Sequence, residues 1–139
     1  MKTLSWVLLA VVGTLTLVLS LVSAAVAYRS DQDQIGPIKQ AELAAGRQDV
    51  DTALRARRAT AAAYAAGFAA LFLAVVVGPY RRGDVWAFWA LLVATLVYGS
   101  VSLLRIPLLG TNLGAGPAGI QLGIVVVALL LDAKRLRSS

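Results

Sequence analysis

The sequence contains neither cysteine nor histidine. Without cysteine the chain has no disulfide, no thiolate nucleophile and no thiolate metal ligand, so cysteine usage gives no information on the redox compartment. Without histidine it lacks the usual haem ligand, the most common zinc and copper ligand and the usual proton shuttle. These two absences exclude most of the chemistry by which an enzyme or a metalloprotein is recognised.

Charge is scarce as well, because only 14% of the residues are charged whereas 59% are hydrophobic. Soluble domains are about 45–50% apolar and about 25% charged. Four long apolar runs, at residues 4–27, 59–77, 85–104 and 117–131, have no charged residue in their interiors. A charge at the bilayer centre costs about 3 kcal/mol or more, and about 20 apolar residues cross the hydrocarbon core. The pattern therefore predicts a multi-pass membrane protein.

The predicted fold is all-α: an integral membrane four-helix bundle with a short amphipathic or polar segment between helices 1 and 2. Residues 1–139 form one domain, with spans at about 4–28, 59–78, 85–104 and 117–131 and a polar connector at 29–58. Lys2, the first apolar run and Ala25-Val26-Ala27 together resemble a cleavable signal peptide. Because this run is long and three more spans follow, we expect a retained signal anchor.

Turn-forming and capping residues predict how the helices are connected. The connector has a turn around Asp31, Asp33, Gly36 and Pro37, then a short helix over 38–45 that Gly46 caps. A further helix, capped by Asp49 or Asp51, runs unbroken into the second span; the connector either lies on the membrane surface or is solvated. Residues 78–84 form a tight connection. Arg105 ends the third span, Pro107 prevents a simple helical continuation, and Pro117 opens the fourth helix.

The net charge of +6 resides in loops and termini. Basic residues that flank apolar spans meet lipid headgroups or set the topology, so we expect the lipid bilayer and no nucleic acid as a partner. An inside N-terminus places six basic residues in the cytoplasm and seven on the opposite side, as counted from the sequence. The signal-like start favours cytoplasmic termini in the cell membrane.

Four residues form a candidate ligand site at the mouth between helices 3 and 4. Arg105 holds an anionic ligand together with Asn112 if the glycine-rich segment folds back over the bundle, and Gln121 and Tyr98 line the same mouth. Alternatively, Arg105 snorkels to the interface and Gln121 and Tyr98 make an ordinary polar contact between helices. Asp132 is expected to lie in water beside Lys134 or Arg135.

A second candidate is the charged turn Arg81-Arg82-Gly83-Asp84. Asp84 precedes the third span, where it caps the helix and is favoured by the positive helix end. The two arginines bind a phosphate headgroup in bidentate fashion; the alternative is a capped turn whose arginines only set topology.

Small residues mark two helix faces that favour close packing in lipid. Ala63 and Gly67 lie on one face of the second span, and Gly119 and Gly123 form a GxxxG pattern in the fourth. These faces predict packing within the chain or across a homo-oligomer.

The stretch Tyr80-Arg81-Arg82-Gly83-Asp84-Val85-Trp86-Ala87-Phe88-Trp89 resembles the "RRGxxWAW" turn of small four-helix bacterial membrane proteins. Arg105, followed by a Gly/Pro loop and a final helix, is similar to the layout of the DoxX-like group. The resemblance covers residues 78–132; it implies the fold and a membrane location, and it transfers no catalytic residue.

No catalytic residue, metal site or cofactor is expected, because the hydroxyls inside the spans have no base beside them. The predicted function is that of a non-enzymatic accessory or structural membrane protein, which packs with itself, with lipids or with a larger membrane complex. The alternative is a binder or carrier of a hydrophobic or amphipathic small molecule or lipid at the mouth between helices 3 and 4. A membrane enzyme with a bound cofactor such as a quinone is a third class.

Overall fold

The computed structural model describes residues 2–29, 34–35, 38–110 and 115–133. Its helices are α1 (Lys2–Arg29), α2 (Gln40–Ala44), α3 (Gln48–Val75), α4 (Val85–Leu103), α5 (Arg105–Leu109) and α6 (Ala115–Leu131). The strands are β1 (Gln34–Ile35) and β2 (Ile38–Lys39). Apart from this hairpin and the turns, the described chain is helical, so the all-α prediction is confirmed.

Three helical segments are long and apolar enough to cross a membrane: Leu4–Arg29, Gln48–Tyr80 and Val85–Leu108. Runs of Leu, Ala and Val without an interior proline favour a helix over most of this length. The fourth predicted span corresponds to α6, whose 17 residues make a helix about 26 Å long at about 1.5 Å per residue. Three to four apolar helices are therefore present.

The chain divides into two compact units. The first comprises Met1–Thr14 and Leu71–Ser139, and the second comprises Leu15–Ala70. In the first unit α4 packs against α6. The buried residues of α4 recur every three or four positions and so form one helix face: Ala87, Phe88, Leu91, Thr95, Gly99 and Ser102.

Two glycines of the first unit allow close approach of neighbouring side chains. A Cβ atom at Gly13 would stand 2.8 Å from Cδ2 of Leu73, and one at Gly99 would stand 2.9 Å from both methyl groups of Leu122. Both distances are shorter than carbon–carbon contacts allow. These leucines therefore occupy space that only a glycine leaves open.

The second unit contains the hairpin, α2 and most of α3. The strands pair antiparallel, with Gln34 opposite Lys39 and Ile35 opposite Ile38. The predicted helix over 38–45 is shorter than expected, because its first two residues belong to β2. The left-handed residue that caps α2 is Ala45, with φ 47°, and Gly46 follows it with φ 76°.

A polar contact holds α2 against the start of α3. Gln40, which is buried, donates from Nε2 to Asp51 Oδ1 at 2.5 Å. The other carboxylate oxygen of Asp51 lies 2.8 Å from Nε of Arg55. Helix α3 continues without a break into the apolar run, as predicted, but it begins at Gln48, so Asp49 and Asp51 lie inside its first turn and neither is the predicted N-cap. The predicted turn around Asp31, Asp33, Gly36 and Pro37 lies outside the described residues.

The prediction that Gly78 and Pro79 break the second span is wrong. Residues Val76–Tyr80 continue the helix as a π-helical turn. In this turn Arg81 N–H bonds to Val76 O and Asp84 N–H bonds to Pro79 O, both five residues back. The wider turn accommodates a residue that has no N–H and whose ring crowds an α-helix. The connection to α4 is therefore only Gly83-Asp84, with Gly83 at φ +107°.

Helix α4 ends at Leu103, so the chain does not continue as one simple helix, but Pro107 itself is helical. It is the third residue of α5, a position in the first turn where an N–H has no intrahelical partner. The neighbouring bonds, from Leu108 N–H to Leu104 O and from Gly110 N–H to Ile106 O, are formed. Gly110, with φ 62°, ends this helix.

Candidate functional sites

A buried pair of hydroxyl groups joins three helical segments of the first unit. Ser5 of α1 and Tyr80 of the π-helical turn are both fully buried. Their oxygens are 2.6 Å apart, and Ser5 Oγ donates to the carbonyl oxygen of Ala128 in α6 at 2.7 Å. Because a serine hydroxyl has one proton, Tyr80 donates to Ser5, which in turn donates to Ala128.

The direction of this chain of bonds fits the end of α6. That helix ends at Leu131, so the carbonyl of Ala128 is one of the four that have no i+4 partner inside the helix. The N–H of Asp132 bonds to Leu129 O instead. Ser5 thus donates the hydrogen bond that this buried carbonyl lacks within α6. The cluster therefore links the first helix to the last.

Ser5 and Tyr80 are not among the site residues that the sequence predicts. Ser5 is one hydroxyl among several in the apolar runs, and Tyr80 follows a proline in a segment predicted to be a loop. A signal was present, since Ser5 stands near the start of one span and Tyr80 at the end of the next. Antiparallel neighbours would bring such positions to the same level.

The charged turn is arranged differently from the predicted headgroup site. The guanidinium carbon of Arg81 lies 5.0 Å from the ring centroid of Trp6, which is a cation–π contact. Arg82 is exposed. Asp84 occupies the N-cap position of α4, but its side chain makes no capping hydrogen bond. The predicted role of these three residues at a lipid headgroup stays a prediction.

The four residues of the predicted ligand site are only partly described. Asn112 lies outside the described residues, and of Arg105 only its backbone, as the first residue of α5, is described. Tyr98 is partly exposed on α4, and Gln121 is half-buried on α6. Whether these side chains meet a common ligand stays a prediction.

The small residues predicted to pack helices together have free space beside them in a single chain. A Cβ atom built at Gly67, Gly119 or Gly123 would meet nothing within 4 Å, and Ala63 is exposed. Close packing at these glycines is therefore absent from the described part of a single chain. Packing of the same residues across copies or against a partner stays a prediction.

In the second unit, Ala63 belongs to a longer exposed set that we call the small-residue face. Its members follow one another along α3 in steps of three or four residues, so they share one side of the helix. They are Ala53, Ala56, Thr60, Ala63, Gly67 and Ala70, and all are exposed.

The hydroxyl of Thr95 is a buried group without a hydrogen bond. Thr95 is only 4% exposed, and its Oγ1 has no partner within the described ranges. Because an unsatisfied buried hydroxyl costs about 1–3 kcal/mol, we expect Thr95→Val to raise the free energy of unfolding by about 1 kcal/mol. Denaturation by SDS of the purified protein in mild detergent measures this change.

A matched control is Thr52→Val, because Thr52 is exposed and its hydroxyl bonds to Gln48 O in its own helix. We expect no significant change for this variant. A loss of 1 kcal/mol or more in Thr95→Val would show instead that the hydroxyl contributes a bond to the fold.

The expectation that Asp132 lies in water is wrong. This residue is only 3% exposed and so is buried, whereas Lys134 and Arg135, its expected partners, lie outside the described residues. Among the residues that the structure describes, no group of three or more side chains could hold a metal ion.

Comparison with known proteins finds no match to a family model, to a curated protein or to a solved structure. The similarity of residues 80–89 to the turn of small four-helix bacterial membrane proteins, and that of the Arg105 segment to the DoxX-like layout, therefore remain likenesses of short motifs.

Proposed function

We propose that the chain is a small multi-pass integral membrane protein of accessory or structural type, without enzymatic activity. Its four apolar helices form a bundle in the cell membrane with both termini in the cytoplasm. The bundle packs with itself, with lipids or with a larger membrane complex.

The observation that carries this proposal is the exposure of large apolar side chains along every long helix. The most hydrophobic windows of the three longest apolar segments are only 22%, 22% and 33% buried. Side chains more than half exposed include Leu15, Leu19, Leu71, Val101, Ile120 and Leu130. Soluble monomers rarely expose large contiguous apolar patches, whereas a bilayer covers such a surface without cost.

The accessory or structural role is supported by small residues that have no close neighbour within the described part of the chain. In lipid, helices associate through van der Waals contacts at small residues that let the backbones approach. Gly67 on α3 and Gly123 on α6 are exposed and have no neighbour within 4 Å of a built Cβ atom. Both positions can therefore receive another helix, from a second copy or from a partner.

The test has two steps, of which the first is membrane integration. The protein expressed in cells should stay in the membrane fraction after extraction with alkaline carbonate. Release into the soluble fraction would contradict the proposal as a whole.

The second step measures association by energy transfer between labelled copies in lipid vesicles. We expect Gly67→Leu or Gly123→Leu to weaken association about tenfold, which corresponds to about 1.4 kcal/mol, because the added side chain holds the helices apart. Ala61→Leu is the matched control, since Ala61 is exposed on another side of α3.

If copies do not associate, the same variants are compared for recovery of protein partners from gently solubilised membranes. The carrier alternative makes the opposite prediction: Arg105→Ala removes a co-purified small molecule, and the leucine variants leave it bound. That result would contradict the accessory function and support the function of a small-molecule carrier.

A further inference from the structure

A surface groove in the second unit lies between the end of α1 and the middle of α3. Its volume is about 570 Å³, and it is lined by Tyr28, Ala56, Ala59, Thr60, Ala63 and Tyr64. Tyr28 and Tyr64 are 76% and 78% exposed. Alanine methyl groups thus form its floor, and two tyrosine rings stand at its sides.

Two arginines that have no partner among the described residues accompany these tyrosines. Arg57 precedes Thr60 by three residues and Tyr64 by seven, so it lies on the same side of α3. Arg29 directly follows Tyr28 in the chain. Both are exposed, and within the described residues neither makes a hydrogen bond or an ion pair.

The other arginines of this unit are engaged. Arg47 pairs with Asp49 at 2.8 Å, and Arg55 pairs with Asp51 at the same distance. Arg58 donates from Nε to Ser23 Oγ at 3.3 Å. Among the arginines of this unit, Arg29 and Arg57 are therefore the two available to a ligand, and each is near a tyrosine of the groove along its helix. The two carboxylates at the start of α3, by contrast, are already paired.

We propose that this groove binds an anionic phospholipid. Arg57 and Arg29 hold the phosphate, because guanidinium groups form strong charge-assisted bonds to phosphate oxygens. The glycerol backbone lies against the alanine floor, and the acyl chains follow the apolar part of α3 beyond Tyr64. Tyrosine and arginine side chains are typical of headgroup depth, where one end of each side chain is apolar and the other is hydrated.

The competing occupant is a second copy of the chain, because Ala56, Thr60 and Ala63 also belong to the small-residue face. Charge argues against it at this end of the face. Two parallel copies of α3 would place Arg57 beside Arg57 of the other copy, and like charges at one level repel. An anionic headgroup is complementary in charge to both arginines. The other end of the small-residue face, at Gly67, remains open for a helix.

The proposal rests on the proposed membrane location, and it is tested with the full chain reconstituted in bilayer discs of equal parts phosphatidylglycerol and phosphatidylcholine. Native mass spectrometry counts the lipids that stay bound after the disc is stripped. We expect phosphatidylglycerol to be retained in preference to phosphatidylcholine, and Arg57→Gln to reduce its retention about fivefold, as expected for the loss of one basic residue near a headgroup.

Two matched controls separate a built site from general surface charge. Arg47→Gln removes one arginine of the same unit that is already paired, so it should leave retention unchanged. Ala56→Trp fills the groove without changing any charge and should abolish the preference, whereas Ala90→Trp, at an exposed position of α4 in the first unit, should not.

The proposal is overturned if both lipids are retained equally, if Arg47→Gln and Arg57→Gln act alike, or if Ala56→Trp leaves the preference intact. It is also overturned if Ala56→Trp separates dimers and does not alter lipid retention, because the occupant is then a second copy. Resistance to carbonate extraction, measured on the same variants, distinguishes these outcomes from a failure of the proposed membrane location.

Discussion

Ser5→Ala is expected to destabilise the protein by about 2–3 kcal/mol. The substitution removes the acceptor of the Tyr80 hydroxyl and the donor to the Ala128 carbonyl, and both groups are buried. A buried polar group that loses a hydrogen-bond partner costs about 1–3 kcal/mol, and this substitution removes two such bonds at once. Reversible denaturation by SDS in mild detergent measures the change in the free energy of unfolding.

Tyr80→Phe provides the informative comparison, because it removes one hydroxyl and leaves Ser5 still bonded to Ala128. We expect a loss of about 1 kcal/mol, the typical net value of one hydrogen bond. The double variant should cost less than the sum of the single ones, since the two hydroxyls are coupled.

The control for this series is Ser20→Ala on the same helix. Ser20 is also buried, but its hydroxyl bonds to Thr16 O within its own helix, so a loss below about 0.5 kcal/mol is expected for a site that joins no other segment. Equal losses of stability in Ser5→Ala and Ser20→Ala would show that the cluster does not stabilise the packing between helices.

Gly13→Ala is the second substitution with a large expected effect. The added methyl group would approach Leu73 Cδ2 to 2.8 Å, Leu73 Cγ to 2.9 Å and Phe72 Cδ1 to 3.1 Å. Forcing one methyl group into such a site costs about 1–3 kcal/mol. The cost is expected near the upper end, because a branch carbon and an aromatic ring must move along with the tip of the leucine. The same denaturation assay measures it.

Two other glycines complete a graded series. Gly99→Ala meets mainly the methyl groups of Leu122, which can rotate away, so its cost should be smaller than that of Gly13→Ala. Gly119→Ala meets nothing within 4 Å and should stabilise the helix by up to about 1 kcal/mol through the better helix propensity of alanine. An inverted order would show that α1 and α3 are not in the contact described.

The helices themselves could be predicted from the sequence, because each apolar run is long, continuous and free of charge. The third span was predicted to end at residue 104 and α4 ends at Leu103. The uninterrupted passage from the polar start of α3 into its apolar part was also anticipated. Such local patterns are sufficient when the element is long and its period is clear.

Both Pro79 and Pro107 lie in helical segments, and there is a physical reason why the sequence does not reveal this. A rule that proline breaks a helix assumes bonds from each residue to the fourth one back and a position beyond the first turn. Pro79 lies in a turn with bonds five residues back, and Pro107 lies in a first turn. Neither circumstance can be recognised from the identity of the residue and its nearest neighbours.

The buried polar cluster could not be predicted because it depends on register between distant segments. Ser5 and Tyr80 are 75 residues apart in the chain, and a shift of one residue in either helix would rotate its side chain by about 100° away from the contact. The open state of Gly119 and Gly123 has the same origin. A GxxxG pattern indicates that a helix can be approached closely, and only the arrangement of the other helices decides whether it is.

The bond from Ser5 to Ala128 has a consequence for biosynthesis, since the two residues are 123 positions apart. A ribosome that adds about 5–20 residues per second needs roughly 6–25 s to make the intervening chain. Throughout that interval the start of the first helix is without its acceptor in the last one. Until α6 has been made, the Ser5 hydroxyl therefore bonds to other groups, such as water or a carbonyl of its own helix, and the link between the first and the last helix forms only when synthesis is nearly complete.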